Sequence, residues 1–239
     1  MILRGQLCGK VGRRRDKFLK GPSSNRRPFR FLPRSFNVPA VSSIPVLLGG
    51  APAASLQPLT RARLDDAGLI AQLTDWRNAA KSAFLTQFDA TVPRTRAWLE
   101  RVVLPDPTRR LYTIDDAEGP LGTIGFMHLG DRSAELDNLI RGVRRGPPAL
   151  IRAAEAALVS WLFETYGLGR IEAVVLAGNF SALQLHQSLG FQMTRRVPLR
   201  RTEQDGEVAL IESDAESELP DDNDLAKLLL VLNREDFTP

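Results

Sequence analysis

A short turn rich in arginine and glycine has the composition of a phosphate-binding site. Residues 141–146 read Arg-Gly-Val-Arg-Arg-Gly, and Arg141, Arg144, Arg145 and Gly146 are the members best suited to contact an anion. An apolar run before the turn predicts a strand, and an apolar stripe with helical spacing after it predicts a helix. A helix N-terminus offers free N–H groups and the positive end of its dipole, and guanidinium groups add hydrogen bonds. The pattern indicates a phosphate site, although a solvated basic turn before a helix has the same composition.

A second unit, residues 179–191, reads Asn-Phe-Ser-Ala-Leu-Gln-Leu-His-Gln-Ser-Leu-Gly-Phe. The Asn179 side chain is suited to cap a helix, and Ala182 shares a helical face with the leucines that follow. Gly190 suits the position after a helix, where a positive φ is often required. Because an apolar run at 171–177 precedes it, the unit predicts strand, helix and strand in succession.

The chain upstream of the Arg/Gly turn predicts antiparallel strands that lead into it. Strands are expected at 110–114, 121–129 and 134–140, separated by Glu-Gly-Pro and Gly-Asp turn signals. The sheet is expected to open between the strand that ends at Ile140 and the strand at 171–177. Both units described above would then lie at this opening.

The order of these elements resembles the coenzyme A-binding half of the GCN5-related N-acetyltransferases (GNAT). The resemblance lies in the strand, the Arg/Gly turn, the helix, the next strand and the motif Asn179-x-x-Ala-x-x-Leu-x-x-x-x-Gly-Phe. It is strongest to the branch with ribosomal-protein and sugar-nucleotide acetyltransferases, because Trp76-Arg77-Asn78 precedes a helix that carries Trp98. The resemblance covers residues 56–237. It implies an α/β fold of the α+β kind, with a mixed, mostly antiparallel sheet of about seven strands flanked by helices.

The resemblance also implies a reaction, the transfer of an acetyl group from acetyl-CoA to a primary amine. The amine would belong to a small molecule, such as a nucleotide-linked amino sugar, or to a peptide. In such enzymes the turn holds the pyrophosphate, and a backbone N–H at Leu139 or Ile140 polarises the thioester carbonyl. Arg144 stands where the family has glycine, so its side chain and that of Arg145 would replace backbone contacts. The implied cofactor-binding residues are Leu139, Ile140, Arg141, Arg144, Arg145, Gly146, Asn179 and Ala182.

Catalysis would require a base for the amine and a proton donor for the leaving thiolate. Glu135 and Asp137 are two apart on a predicted strand and therefore face the same side of the sheet. Asp137 is the preferred base because it lies closer to the cofactor end, although a solvated polar strand face would show the same pattern. His186 occupies a helix position where many members have tyrosine, and an unperturbed pKa of about 6.5 would let it donate a proton. A histidine at the edge of the core is the alternative.

The acceptor side of the site would involve Trp76, Arg77 and Trp98. Arg77 is suited to hold a phosphate or carboxylate of the acceptor, whereas both tryptophans would equally serve helix packing. A different class of function is a non-catalytic binding module on a degenerate acyl-CoA fold, with a basic arm that contacts nucleic acid or a protein partner. The altered turn favours this alternative, and the presence of Asn179 and Ala182 opposes it.

Composition restricts the remaining possibilities. The 239 residues include one cysteine, Cys8, and two histidines, His128 and His186, so neither an internal disulfide nor a His/Cys metal site is expected. No apolar run is long enough to cross a membrane, and a cytoplasmic location is predicted. A homodimer is one assembly that the sequence leaves open.

Charge divides the chain into two parts. Residues 1–40 carry 11 Lys/Arg and one acid, whereas the remainder carries 21 basic and 27 acidic residues. Residues 1–55 are therefore predicted to be a basic, disordered extension, and residues 56–239 to be the acetyltransferase domain. Residues 1–50 are expected to be dispensable for acetyl transfer. An export signal, an organelle transit peptide and a nucleic-acid-binding arm are alternatives for the extension. Residues 212–224 carry seven acids and no base and are predicted to form a loop.

Overall fold

A ten-stranded sheet forms the framework of the protein. The computed structural model describes residues 42–213 and 225–239. Neighbouring strands are antiparallel except for the sixth and seventh, which are parallel. The strands are β1 (Ile44–Leu48), β2 (Ala51–Pro58), β3 (Thr86–Gln87), β4 (Arg110–Asp116), β5 (Gly119–Met127), β6 (Ser133–Arg141), β7 (Arg170–Leu176), β8 (Gln192–Gln204), β9 (Glu207–Glu212) and β10 (Ala226–Asn233). Their order in the sheet is β1-β2-β4-β5-β6-β7-β10-β8-β9-β3.

Helices cover both faces of this sheet. The α-helices of the described residues are α1 (Ala67–Ala79), α2 (Val92–Trp98), α3 (Leu150–Tyr166) and α4 (Phe180–Gln187), and α2 continues as a π-helical turn, Leu99–Val103. Side-chain oxygens of Asp66, Thr91 and Asn179 cap α1, α2 and α4. In contrast, α3 begins without a side-chain cap, and it ends at Gly167, whose φ of 62° favours glycine.

Two cores lie on opposite faces of the sheet. α3 and α4 pack against one face, where Ala134 and Leu136 of β6 are buried. α1 and α2 pack against the other face, together with Leu111 of β4. Because side chains alternate along a strand, Glu135 and Asp137 point to the side of the sheet that α1 and α2 cover, called the α1 face below.

The sheet opens between β6 and β7, as predicted. Their parallel pairing lasts for three residue pairs, from Ser133–Arg170 to Glu135–Glu172. Beyond these pairs β7 continues alongside β10, while β6 remains paired with β5 as far as Arg141. The second half of β6 therefore has no strand on its β7 side in the described part of the chain, and a cleft lies there.

The domain begins earlier in the chain than predicted. The boundary expected at residue 56 is wrong, because β1 and β2 form a hairpin at the edge of the sheet. Ile44 and Val46 are 5% and 0% exposed in the core. Pro45 and Pro52 interrupt the strand pattern in the sequence, yet a proline is compatible with an edge strand such as β1.

Two further outcomes concern the limits of the domain. The sheet has ten strands and not about seven, since β1 and the two-residue β3 were not expected. Residues 1–41, predicted to be a disordered extension, lie outside the described residues, as do residues 214–224 of the predicted acidic loop.

Candidate active site

A bulge in β6 shapes the side of the cleft. Asp137 lies opposite Gly125 and Ile140 opposite Thr123, so β6 has one residue more than β5 between these pairs. Asn138 has a φ of 53° at this point, and its carbonyl accepts a 2.8 Å hydrogen bond from the Thr123 hydroxyl. The extra residue lets both Asp137 and Ile140 face α1.

A second irregularity in the pairing of β5 with the chain after β6 lies where the Arg/Gly turn begins. Gly142 donates its N–H to the Leu121 carbonyl of β5 at 2.9 Å. Val143 donates its N–H to the same carbonyl at 2.8 Å, so the regular alternation of N–H directions is broken here as well as at the bulge. Leu139 and Ile140, whose N–H groups were both named from the sequence, lie between these two irregularities.

The Arg/Gly turn is tied to the β4–β5 hairpin by one of its arginines. Arg145 donates two 2.8 Å hydrogen bonds to the Asp116 carboxylate and a 2.6 Å bond to the Gly119 carbonyl. The contact lowers the pKa of Asp116 and raises the pKa of Arg145. Arg144, by contrast, is exposed and makes no hydrogen bond or ion pair with the described residues. The two arginines were expected to act alike, but one is occupied by the protein and the other is open to a ligand.

Glycines give the turn its shape. Gly146 has a φ of 74°, which favours glycine. A Cβ on Gly142 would lie 2.0 Å from the Trp76 ring, so only glycine fits there. Arg141 is exposed and donates a 3.2 Å hydrogen bond to the Arg145 carbonyl, closing the turn on itself.

The two predicted carboxylates belong to a charged cluster on the α1 face. Glu135 Oε2 lies 3.2 Å from Nδ1 of His128, the residue after β5. This hydrogen bond raises the pKa of His128, and the burial of His128 opposes the shift. Burial also raises the pKa of Asp137, against the opposing charge of Arg109. The cluster thus joins a carboxylate of raised pKa to a titratable ring near the surface.

His128 was weighed from the sequence only as a metal ligand. It directly follows Met127, which pairs with Glu135 across the β5–β6 hairpin. Simple alternation from this pair would place His128 and Glu135 on opposite faces, and their contact accompanies a φ of 54° at His128 that the sequence does not signal. In residues 42–213 and 225–239, no group of three His, Cys, Asp or Glu side chains is arranged to hold a metal ion.

Residues 56–192 match the family model of the acetyltransferase (GNAT) domain. The chain belongs to the GNAT acetyltransferases. It is therefore an acyltransferase that depends on acetyl-CoA as co-substrate. No curated protein matches it in sequence.

Solved structures share the fold of this GNAT domain at low sequence identity. A spermidine N-acetyltransferase from Vibrio cholerae, in complex with CoA and spermine, has a TM-score of 0.58 at 13% identity, over 77% of this chain and 97% of its own. A probable GNAT-family acetyltransferase from Chromobacterium violaceum has a TM-score of 0.60 at 16% identity, over 91% and 98%. The ribosomal alpha-N-protein acetyltransferase RimL, in complex with coenzyme A, has a TM-score of 0.56 at 10% identity, over 80% and 98%. These similarities concern the fold and do not distinguish the branch of the family.

In this GNAT domain Asn179 caps α4, as predicted. Its Oδ1 accepts a 3.3 Å hydrogen bond from the Ala182 N–H. Its Nδ2 makes no hydrogen bond with the described residues, so the amide keeps a donor for a ligand. Asn179 is half-buried at the end of the loop that follows β7, and β7 is the strand that borders the cleft.

His186, the predicted proton donor, lies buried between α3 and the Phe191 ring. It is 5% exposed, and its Nδ1 lies 2.6 Å from Glu155 Oε1 of α3. The Phe191 ring packs on it with a centroid distance of 5.3 Å. The alternative interpretation, a histidine held in the core, is the one that fits these contacts.

The three residues expected to contact the acceptor are mainly packing residues. Trp76 is 6% exposed and Trp98 packs on the same core. The Arg77 guanidinium stacks 3.7 Å from the centroid of the Phe84 ring and donates a 2.7 Å bond to the Thr86 carbonyl. Burial lowers the pKa of Arg77 to about 10. The two tryptophans therefore pack in the core on the α1 face, and Trp76 also packs against Gly142 of the Arg/Gly turn.

The described residues include no helix with the length and apolar character that a membrane crossing needs.

Proposed function

We propose that this GNAT enzyme transfers the acetyl group of acetyl-CoA to a primary amine of a small molecule or a peptide. The observation that carries the proposal is the bulge in β6, which interrupts the pairing with β5 beside the N–H groups of Leu139 and Ile140 and keeps the Asp137 carboxylate on the α1 face. Acyl transfer to an amine needs both groups, a hydrogen-bond donor for the thioester oxygen and a base for the amine. Their proximity on one strand supports this reaction.

The cofactor side of the cleft fits an anionic pyrophosphate. The start of α3 has no side-chain cap. The Leu150 N–H donates to the Pro147 carbonyl at 3.0 Å, so an anion would be held by the N–H groups that follow it and by the arginines of the turn. Arg141 and Arg144 are exposed beside the start of α3. We assign them to the pyrophosphate, Asn179 and Ala182 to the pantetheine arm, and Arg145 to the support of the turn.

We assign the base to Asp137, acting directly or through a water, and regard Glu135 as its rival. Burial raises the pKa of Asp137, which makes its carboxylate a stronger base than an exposed aspartate. Asp137 is also next to the bulge, whereas Glu135 lies one pleat further from it. His186 is not assigned as donor to the thiolate, because its ring is enclosed. In this proposal the leaving thiolate takes its proton from the attacking nitrogen.

Charges on the α1 face favour a cationic amine that carries no phosphate. Glu135 and Asp137 place two carboxylates on this face, near the point where β6 and β7 separate. Arg77, the residue suited to a phosphate of a nucleotide-linked amino sugar, has its Nη1 buried and is not open to such a group. The spermidine in the name of the Vibrio cholerae enzyme and the ribosomal protein in the name of RimL are acceptors without a phosphate group.

Turnover by the full chain tests this proposal. Release of the CoA thiol from acetyl-CoA is measured with spermidine, with peptides that have free N-termini and with a nucleotide-linked amino sugar. We expect Asp137→Asn to lower kcat by about 10²–10⁴ while the KM for acetyl-CoA stays the same. Asp131→Asn, an exposed acid in the turn before β6, is the matched control and should retain wild-type turnover.

Thermal protection separates the two classes of function. Acetyl-CoA at 100 times its Kd should stabilise the domain by about 2.7 kcal/mol. Protection without turnover of any amine would favour the non-catalytic binding module. The absence of both thermal protection and turnover would contradict both hypotheses.

A further inference from the structure

A row of titratable side chains runs from the bulge to the surface on the α1 face. Asp137 is half-buried next to the bulge. Glu135 follows it on the same side of β6, and its side chain is 19% exposed. His128, whose Nδ1 lies 3.2 Å from Glu135 Oε2, has a side chain that is 59% exposed. Exposure thus increases from Glu135 to His128, the member of the row that lies at the surface.

The chemistry of acetyl transfer releases one proton on this face. An alkyl amine with a pKa of about 10.4 reaches the site as an ammonium ion. The nitrogen must lose one proton before it attacks the thioester carbon. The N–C bond then forms, the C–S bond breaks, and the thiolate takes a second proton from the nitrogen. The balance is ammonium plus acetyl-CoA giving amide, CoA thiol and one free proton, which has to leave the enclosed carboxylate in every turnover.

On the basis of the acetyl-transfer function proposed above, we infer that His128 is the proton outlet of the α1 face. Glu135 passes to it the proton that Asp137 removes from the acceptor amine, and the ring releases that proton to solvent. His128 does not touch the substrate in this scheme and acts through Glu135. The first step spans alternate residues of one strand, about 6.6–6.8 Å between their Cα atoms, a gap that a bridging water closes.

The surroundings of His128 suit a group that changes protonation in each cycle. The charged groups that face it are Glu135 and Asp137 of β6 and Arg109, which precedes β4. Glu172 of β7 is in register with Glu135, but Arg170 neutralises it through a 2.8 Å ion pair. Glu135 raises the pKa of His128 above its ordinary 6.5, and Arg109 opposes the shift. The ring therefore has a carboxylate partner that favours proton uptake and a cation that opposes it.

Nuclear magnetic resonance tests the coupling without any acceptor. The chain has two histidines, so the imidazole signals of His128 are assigned by their loss in His128→Asn. Glu135→Gln should lower the pKa of His128, and Asp137→Asn should lower it less. An identical His128 titration in wild type and Glu135→Gln would overturn the inference, because the two side chains would not be paired in solution.

Kinetics test the outlet itself. His128→Asn tolerates the backbone φ of 54° at this position, since asparagine adopts it readily. It should lower kcat about tenfold near neutral pH, leave the KM for acetyl-CoA unchanged and remove the histidine limb from the pH profile. Free imidazole should restore kcat to His128→Asn. Free imidazole should not restore the kcat of Glu135→Gln, because in that variant the proton cannot pass from Asp137 to His128.

The outcomes also separate this inference from the proposed function. An unchanged kcat and pH profile in His128→Asn would overturn the outlet while acetyl transfer stands. A loss of kcat that imidazole does not repair would also overturn it, because His128 would then only hold the β5–β6 turn. A wild-type enzyme that acetylates no amine would instead reject the proposed function.

Discussion

Burial of the Asp137 carboxylate opposes folding at neutral pH. Its pKa in the folded protein lies above the ordinary value of 3.8. When the pH lies between the ordinary pKa and the raised pKa of the folded protein, the folded state binds more protons than the unfolded state. The free energy of unfolding therefore falls as the pH rises through this range. Asp137→Asn should therefore have a higher Tm than wild type at pH 7, and the difference should vanish below the ordinary pKa. A variant with lower turnover and higher stability is the signature of a functional carboxylate.

The control for this prediction is the same exposed acid as before. Asp131→Asn should change neither the Tm nor its pH dependence. If Asp137→Asn were less stable than wild type at pH 7, Arg109 would compensate the buried charge fully, and the carboxylate would have a structural role.

Glu155 and His186 form a polar pair in the core, and their contribution should appear in stability and not in turnover. Glu155 is fully buried, and its Oε2 has no hydrogen-bond partner among the described residues. His186→Phe leaves the whole carboxyl without a partner, which should cost about 1–3 kcal/mol of unfolding free energy. Denaturant titration measures this loss, and kcat per folded molecule should stay at the wild-type value.

Replacement of both partners sharpens the test. The double variant Glu155→Leu with His186→Leu removes both polar groups and should be less destabilised than His186→Phe alone. A strong loss of kcat in His186→Phe, with normal stability, would return the proton-donor role to His186.

The Arg/Gly turn depends on a tether between two elements, and a matched pair of variants isolates it. Asp116→Asn breaks the Asp116–Arg145 contact but keeps all three arginines of the turn. It should raise the KM for acetyl-CoA several-fold, as Arg145→Gln does, because the turn loses its attachment to the β4–β5 hairpin. Arg144→Gln should weaken acetyl-CoA binding by direct loss of charge, with a smaller salt dependence of the remaining affinity.

Calorimetry of acetyl-CoA binding at two salt concentrations distinguishes these effects. If Asp116→Asn binds like wild type while Arg145→Gln does not, Arg145 contacts the pyrophosphate directly. If Arg144→Gln binds acetyl-CoA with wild-type affinity, the backbone N–H groups of α3 hold the anion without the Arg144 side chain.

Local patterns predicted the elements of the site better than the contacts between them. The Asn179 cap, the β4–β6 meander and the opening beside Ile140 follow from periodicity and turn residues, which act over short stretches of chain. Arg145 differs from Arg144 because it binds Asp116, and only the folded β4–β5 hairpin brings Asp116 near the turn. The sequence could not assign His186 to the core for the same reason, since its partner Glu155 lies on another helix.

On the scale of the whole molecule, the edge of the sheet was the part that sequence reasoning missed. β1 has only five residues, and its alternation is interrupted by Pro45. Its place in the core depends on β2 and on α3, which lies a hundred residues away in the chain. A short edge strand with proline resists unwanted pairing with other chains, and the same features conceal it from pattern analysis.

Two adjacent residues of β1 test whether this edge belongs to the domain. Val46 is 0% exposed in the main core, whereas its neighbour Leu47 is 50% exposed. In the full chain, Val46→Ala should lower the unfolding free energy by about 1.5–3 kcal/mol, because a buried apolar side chain is lost. Leu47→Ala is the matched control and should stay within about 0.5 kcal/mol of wild type. Equal denaturation midpoints for the two variants would show that the hairpin is detached in solution and that the domain begins after it; a selective loss at Val46 means that any shortened form has to retain the chain from residue 42 onward.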